Sequence, residues 1–370
     1  MRLVLTALSL ALLLTAHGTV NAYEVDGFSG KSAKAGIKDF LPRCDADENK
    51  DNKFYSEQYS FNSELEDGYD LWFQIFISNM GVANGRAALQ LHFTPKGGSK
   101  IKDRALFDQG NWSYAADGGK LTMKLGDNVF SGDASGWTGR FETENLTVDL
   151  TVKNLVPSWS PGGGAVYYGA ARKNYYDVTL LTPRGTIEAD VTLKATGEKH
   201  HVKGQVTGDR SASNLSPNLL ARRWVKLRLV GKSYTILMTN LQTSEEYGDK
   251  WVGWFLIASD KAVLAAGANP ALELADTERD AEAGYEVPRI VLLSGGTGVD
   301  GFTGAIKGLK RTKRHDQLAD LSTLEKAVVS KLVKPISYGY KADFEFQFQS
   351  GGKARSYKGK ATYTYEQLTK

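Results

Sequence analysis

Alternation of apolar and polar residues recurs along this chain and limits its fold more than any other feature. Leu146, Val148, Leu150 and Val152 point one way, with Thr147, Asp149 and Thr151 opposite. A period of two belongs to a half-buried β-strand. Further strands are predicted at 54–61, 71–80, 87–94, 121–125, 137–141, 175–181, 186–193 and 200–206. Turn clusters such as Asp117-Gly118-Gly119 and Gly126-Asp127-Asn128 punctuate them. A second series begins near 222–231 and continues at 234–239, 251–259, 287–293, 302–307, 342–348 and 357–365. Many short, regularly spaced strands predict an antiparallel all-β chain.

Two segments break the pattern. Ala33, Ile37, Phe40 and Leu41 share one face at helical spacing, so 31–41 is read as a short helix. It either caps a barrel end or, through Lys31, Lys34 and Lys38, touches a membrane surface. Leu318, Leu321, Leu324, Val328 and Leu332 form the stripe of a late amphipathic helix at 316–334, ended by Pro335.

The start of the chain reads as a cleavable signal peptide over 1–22. Arg2 supplies the positive charge, 3–16 the apolar core and Val20-Asn21-Ala22 the small-residue cleavage pattern. Export to a bacterial periplasm or the cell exterior follows. A lone cysteine, Cys44, is consistent with it, because one thiol makes no internal disulfide. The remainder suffices for two domains, drawn at 23–221 and 222–370. A net charge of +4 is too mild to argue for nucleic acid.

Metal and phosphate signals are weak. Asp45, Asp47, Asn49 and Asp51 have calcium-loop spacing, but Lys50 stands where glycine is needed and Ser56 where the bidentate glutamate belongs. A solvated acidic loop is the reading kept. His200 and His201 are neighbours on a strand, so they face opposite sides and cannot share an ion. Gly295-Gly296-Thr297-Gly298 reads as a hairpin turn. The basic run 307–315 reads as a solvated loop, or as a site for an anionic lipid surface. No cofactor and no metal are expected.

Aromatic residues carry the functional signal. Trp72, Trp137, Trp159 and Trp224 offer apolar faces with an indole N–H, as the wall of a ligand site needs. Trp137 and Trp159 lie beside glycine-rich loops at an expected barrel mouth. Tyr168 and Tyr176 add wall and phenol, each the inward member of a tyrosine pair if alternation holds. Asp209 and Arg210 are candidates for a polar ligand head. Arg222 and Arg223 either do the same or stack on Trp224.

Several segments, in their order, resemble the two-barrel lipocalin-like superfamily. It includes the survival-factor family of ceramide-binding proteins and the AttH-like carotenoid hydratases. Leu71-Trp72-Phe73-Gln74-Ile75-Phe76-Ile77-Ser78-Asn79 with Gly81 resembles an early strand of the family. Pro157-Ser158-Trp159, Gly162–Gly164 and Tyr167-Tyr168-Gly169 resemble its central loop. Gly204, Gly208-Asp209-Arg210 and Arg223-Trp224 resemble the entry to its second barrel, and Leu332-Val333-Lys334-Pro335 with Tyr338 and Tyr340 the exit of its late helix. The resemblance implies two calycin-type barrels side by side and a hydrophobic small-molecule partner, a lipid, sphingolipid-like molecule or isoprenoid, with a link to stress tolerance. The hydratase branch carries Asp-His where this chain has Asp209-Arg210. Arginine stays protonated and shuttles no proton near neutral pH, which favours binding over catalysis.

Three functions remain open: an exported carrier of a hydrophobic molecule with possible peripheral membrane contact; an isoprenoid or polyketide hydratase or cyclase with Asp209 as its acid; and an envelope interaction module with filled barrels.

Overall fold

The structure is a computed structural model that describes residues 24–80, 85–295, 301–320, 326–327, 330, 334–350 and 353–369. The expected signal peptide, Gly81, the expected turn at 296–298 and most of the expected late helix at 316–334 lie outside the described residues. Within that helix the structure describes one 3-10 turn, Gln317–Asp320.

Two antiparallel sheets make up the fold. The main path of the first runs Ile101–Phe107, Arg86–Thr94, Asp70–Ser78, Ser56–Leu65, Glu198–Ser213, Asn174–Leu193, Leu146–Asn154, Gly136–Glu142, Asn128–Asp133, Lys120–Leu125 and Trp112–Asp117. It curls into a nearly closed barrel. The second runs Val263–Ala268, Trp251–Ser259, Tyr234–Gln242, Arg223–Val230, Lys353–Gln367, Ile336–Ser350, Phe302–Asp316, Glu286–Gly295 and Ala271–Arg279, a half-barrel. The all-β, two-barrel architecture is the one the resemblance implies.

Aromatic side chains pack in both interiors. In the first barrel Phe61 stacks on Phe73 at 4.7 Å between ring centres, and Phe130 on Trp137 at 5.2 Å. In the second, Tyr340 stacks on Tyr363 at 4.9 Å and Phe255 lies against Phe302. These are the inward positions that alternation selects.

Four local expectations need correction. The 31–41 segment is not one helix: Ala33–Lys34 is a short strand and only Ile37–Phe40 is helical. Ladder pairing of Ala33 and Lys34 with Ser160 and Trp159 outweighs the 3.6-residue spacing. The acidic segment is solvated at Asp45, Asp47 and Asp51 but is not a loop throughout: Asp47–Lys50 forms a helical turn. Asn49 is fully buried there and donates to the Arg43 carbonyl and the Tyr175 hydroxyl, both at 2.7 Å. The basic run 307–315 is strand throughout, within Phe302–Asp316, with bulges on either side of Lys310-Arg311. Finally, the strands predicted at 175–181 and 186–193 are one strand, Asn174–Leu193, with Pro183 at a register shift where no ladder donor is needed.

Buried ties hold the barrels together. Arg184 leaves that irregularity with its side chain 1% exposed. It donates to Asp260 Oδ1 at 2.5 Å, the Lys232 carbonyl at 2.8 Å, Thr235 Oγ1 at 2.9 Å and the Gly231 carbonyl at 3.0 Å. Arg228 crosses in the other direction, to Thr207 Oγ1 and the Asn62 carbonyl, both at 2.7 Å. Gly162 has φ +52°, and a Cβ there would sit 2.5 Å from Phe28 Cβ and 2.7 Å from Ala268 Cβ. Only glycine allows so close a contact in that conformation.

Candidate functional site

Tyr175 to Thr182 is buried at every position. A strand buried on both faces needs a second cover. The first barrel's interior takes Tyr175 and Leu181; the second barrel covers Tyr176, Val178 and Leu180. Beside this contact the outer faces of the two sheets diverge into a groove of about 950 Å³.

Strand register grades each wall. On the first barrel a row runs Leu180, Asp209, Ser60, Gln74, Gln90. Gln74 Nε2 donates to Gln58 Oε1 at 2.9 Å, and Gln58 Nε2 to Ser211 Oγ at 3.0 Å. On the second barrel the row runs Leu241, Trp224, Glu366, Ser337, His315. Both rows pass from apolar at the contact to polar or charged side chains farther out, ending in Gln74 and Gln90 on the first barrel and in Ser337 and His315 on the second. Tyr176, Val178, Leu180, Trp224, Leu237 and Trp254 line the apolar part. Trp254 is 5% exposed and its indole N–H has no partner among the described residues.

Four of the residues singled out in the sequence meet here. Tyr176 packs edge-on against Trp224 at 5.2 Å. Trp72 alternates outward between the core residues Leu71 and Phe73 and lies against His92 at 4.5 Å. Asp209 is half-buried in the wall. Desolvation pushes its carboxyl up to about 6, while Lys226 pulls the other way. Lys226 pairs with Glu366 at 3.0 Å and lies over the Trp224 ring.

The raised pKa of this carboxyl predicts an effect on stability. Its folded pKa of about 6 exceeds the unfolded value of roughly 3.9. Its contribution to stability is therefore full below about pH 4 and lost as pH rises through about 6. Asp209→Asn is expected to raise stability at pH 8 by up to about 2–3 kcal/mol and to leave it near wild type at pH 4. Urea unfolding at the two pH values checks this; a destabilised variant at pH 8 would contradict it.

The other four lie elsewhere. Trp137 is not at a mouth but in the packed interior, edge-on to Phe40 at 5.3 Å. Trp159 is half-buried in a short strand that pairs with Leu180 and Lys34, packed against the inter-barrel cluster. Tyr168 joins that cluster as well, donating to the Leu220 carbonyl at 3.0 Å. Arg210 faces away from Asp209, into the first barrel. Its Nε donates to Glu57 Oε1 at 2.6 Å and its Nη1 to Asp177 Oδ1 at 2.9 Å. Burial opposes its charge, but Asp177 and Glu57 hold the guanidinium well above its usual range. The second oxygen of Asp177 accepts from Arg43 at 2.8 Å, and Glu57 also accepts from the Tyr55 hydroxyl. Arg210 is thus the centre of a buried ionic cluster. Of the other two arginines, Arg222 pairs with Asp249 at 2.7 Å.

Leu237, Val178, Trp254 and the Gln58–Gln74–Gln90 face were not singled out. The available signal was the run 175–182, whose apolar residues fall on both alternating faces, Tyr175 and Leu181 on one and Tyr176, Val178 and Leu180 on the other.

Among relatives, a ceramide-binding protein svf1 of Emericella nidulans is 22% identical over 189 residues, 50% of this chain and 48% of that protein. The chain spans about half the length of that relative. Among solved structures, CghA in complex with Sch210972 superposes with a TM-score of 0.60 at 10% identity, covering 94% of this chain and 97% of that one. Kievitone hydratase from Nectria haematococca gives 0.50 at 13% identity, covering 94% and 98%. At these identities the likeness is one of fold. The family model described as Svf1 family matches residues 43–368, a span that takes in both barrels and the groove between them, and the chain therefore belongs to the Svf1 family.

Proposed function

We propose that this protein binds an amphiphilic lipid, of ceramide-like chemistry, in the groove between its barrels, and carries it outside the cytoplasm after export by its N-terminal leader. The observation that carries this reading is the graded groove, beside two barrels with packed aromatic cores. Hydrocarbon placed against Val178, Leu180, Leu237 and Trp224 gains about 0.8 kcal/mol per buried CH₂. The Gln58–Gln74 network, Ser60 and Asp209 then meet hydroxyl and amide groups of a head. The ceramide-binding relatives support the same chemistry.

The test is to purify the protein from its own compartment without detergent, extract it with organic solvent and identify bound molecules by mass spectrometry. A long-chain lipid at near-stoichiometric yield is expected. An empty protein that also takes up no fluorescent lipid would sink the reading. A mature chain beginning at Tyr23 in the exported fraction is expected as well.

A second reading is favoured by Asp209 alone. A carboxyl with a pKa of about 6 beside an apolar wall is suited to protonate an alkene carbon. Water would add to the cation and return the proton, a net hydration. Asp209→Asn would then bind an isoprenoid or polyketide alkene without converting it; equal turnover by the variant and wild type would remove this reading.

A further inference from the structure

The strand Phe302–Asp316 places Lys307, Lys310 and Lys313 on the outer face of the second barrel, opposite Asp343, Lys341 and Gly339, while Arg311 and Arg314 stand opposite the core residues Tyr340 and Tyr338. Lys310 stands opposite Lys341, Lys341 opposite Thr362, and Thr362 opposite Arg228. Like charges directly opposite on one face of a sheet destabilise it. Most neighbouring cations have partners: Arg228 has Glu64 at 3.2 Å, Arg311 has Glu278 at 3.6 Å, and Arg314 has Asp280 at 2.7 Å. Asp343 stands opposite both Lys307 and Lys360. Lys310 and Lys341 face each other with no ion pair to either among the described residues. Protection of a sheet edge accounts for lysine on an unpaired strand. It does not account for Lys341, which is paired on both sides, with Lys310 and with Thr362.

The charges surround a built concavity. Pairing between Arg223–Val230 and Lys353–Gln367 ends at Arg228 and Thr362. Beyond that point the strands part, leaving a hollow of about 560 Å³ lined by Lys310, Lys341, Lys360, Val230, Ala361 and Leu309. Leu309 is the extra residue of a bulge and is 54% exposed. Arg228 and Thr362 line both this hollow and the inter-barrel groove, so the two adjoin.

We propose that this face docks the protein on an anionic lipid surface, with Lys310, Lys341 and Lys360 among the headgroup phosphates and carboxylates, Leu309 at the acyl boundary, and the groove turned toward the bilayer. The role in lipid exchange rests on the groove reading above; the docking does not. Amines around an apolar projection match an anionic interface in both charge and polarity.

Co-sedimentation of the full chain with phosphatidylcholine vesicles, with and without phosphatidylserine, tests it. Binding is expected only to the phosphatidylserine vesicles and to weaken with salt. Lys310→Ala with Lys341→Ala is expected to lower vesicle partition on the order of thirty-fold, and Leu309→Glu to lower it further. Both lysines are exposed, so the fold is not at stake. Uptake of a fluorescent ceramide from vesicle-free solution should be unchanged in the double lysine variant, and it scores the groove separately. Wild type that ignores phosphatidylserine vesicles, or a double variant that sediments as well as wild type, overturns the proposal.

Discussion

Arg210→Met is expected to lower stability by about 3–5 kcal/mol, an effect as large as any single substitution here. The guanidinium is 3% exposed and bridges Glu57, fully buried, and Asp177. Removing it leaves Glu57 without a cation inside the barrel, where the remaining donors, Tyr55, Tyr59 and the Arg43 backbone N–H, do not neutralise it. Asp177 suffers less, because Arg43 still holds it at 2.8 Å. The physics also predicts a rescue. A buried pair replaced on both sides is far less costly than one broken on one side, so Glu57→Gln with Arg210→Met should recover much of the loss. Urea unfolding of wild type and the two variants measures it. If Arg210→Met were as stable as wild type but failed to take up lipid, Arg210 would be a ligand residue after all.

Trp224→Ala is expected to weaken lipid uptake by about 2–3 kcal/mol, roughly thirty- to hundred-and-fifty-fold in affinity. Trp224 presents its ring to the groove where the two walls meet, braced edge-on by Tyr176. Its loss removes apolar contact from the tail and one partner of an aromatic pair. Trp137 is the control. Trp137→Ala deletes a ring stacked on Phe130 in the first barrel's core and should cost about 3–5 kcal/mol of stability. Uptake by the fraction that remains folded should be little changed. Titration of each variant with a fluorescent ceramide, below its unfolding transition, separates the two tryptophans. Equal loss of affinity in both would mean that the lipid enters the barrel.

The contrast between these tryptophans shows what the sequence carries. Alternation along 146–152 predicts a strand and its inward face, and the structure has Leu146, Val148, Leu150 and Val152 in the core. It also separates His200, packed against Tyr69 and Phe93, from His201 on the surface. What alternation leaves open is which face of a strand meets a second barrel. Tyr175 and Tyr176 point opposite ways, yet both are buried, because the inter-barrel contact makes a second interior. A ligand site on outward faces is assembled from strands far apart in the chain, so no local run reports it. Arg210 is the same difficulty from the inside: the sequence presents it beside Asp209, and one residue of strand sends it to the opposite side of the sheet. The segment at 31–41 failed for another reason. Four apolar residues at helical spacing fit a helix, but the ladder offered by Trp159 and Ser160 captures its first half.

The central claim is that lipid lies between the barrels and not inside either one. The most direct measurement is photocrosslinking with a ceramide that carries a diazirine along its acyl chain, followed by peptide mapping of the adducts. Adducts on Tyr176, Trp224, Leu237 or Trp254 are the predicted result. Adducts confined to interior residues such as Phe130, Trp137 or Tyr363 would contradict it and return the site to a barrel.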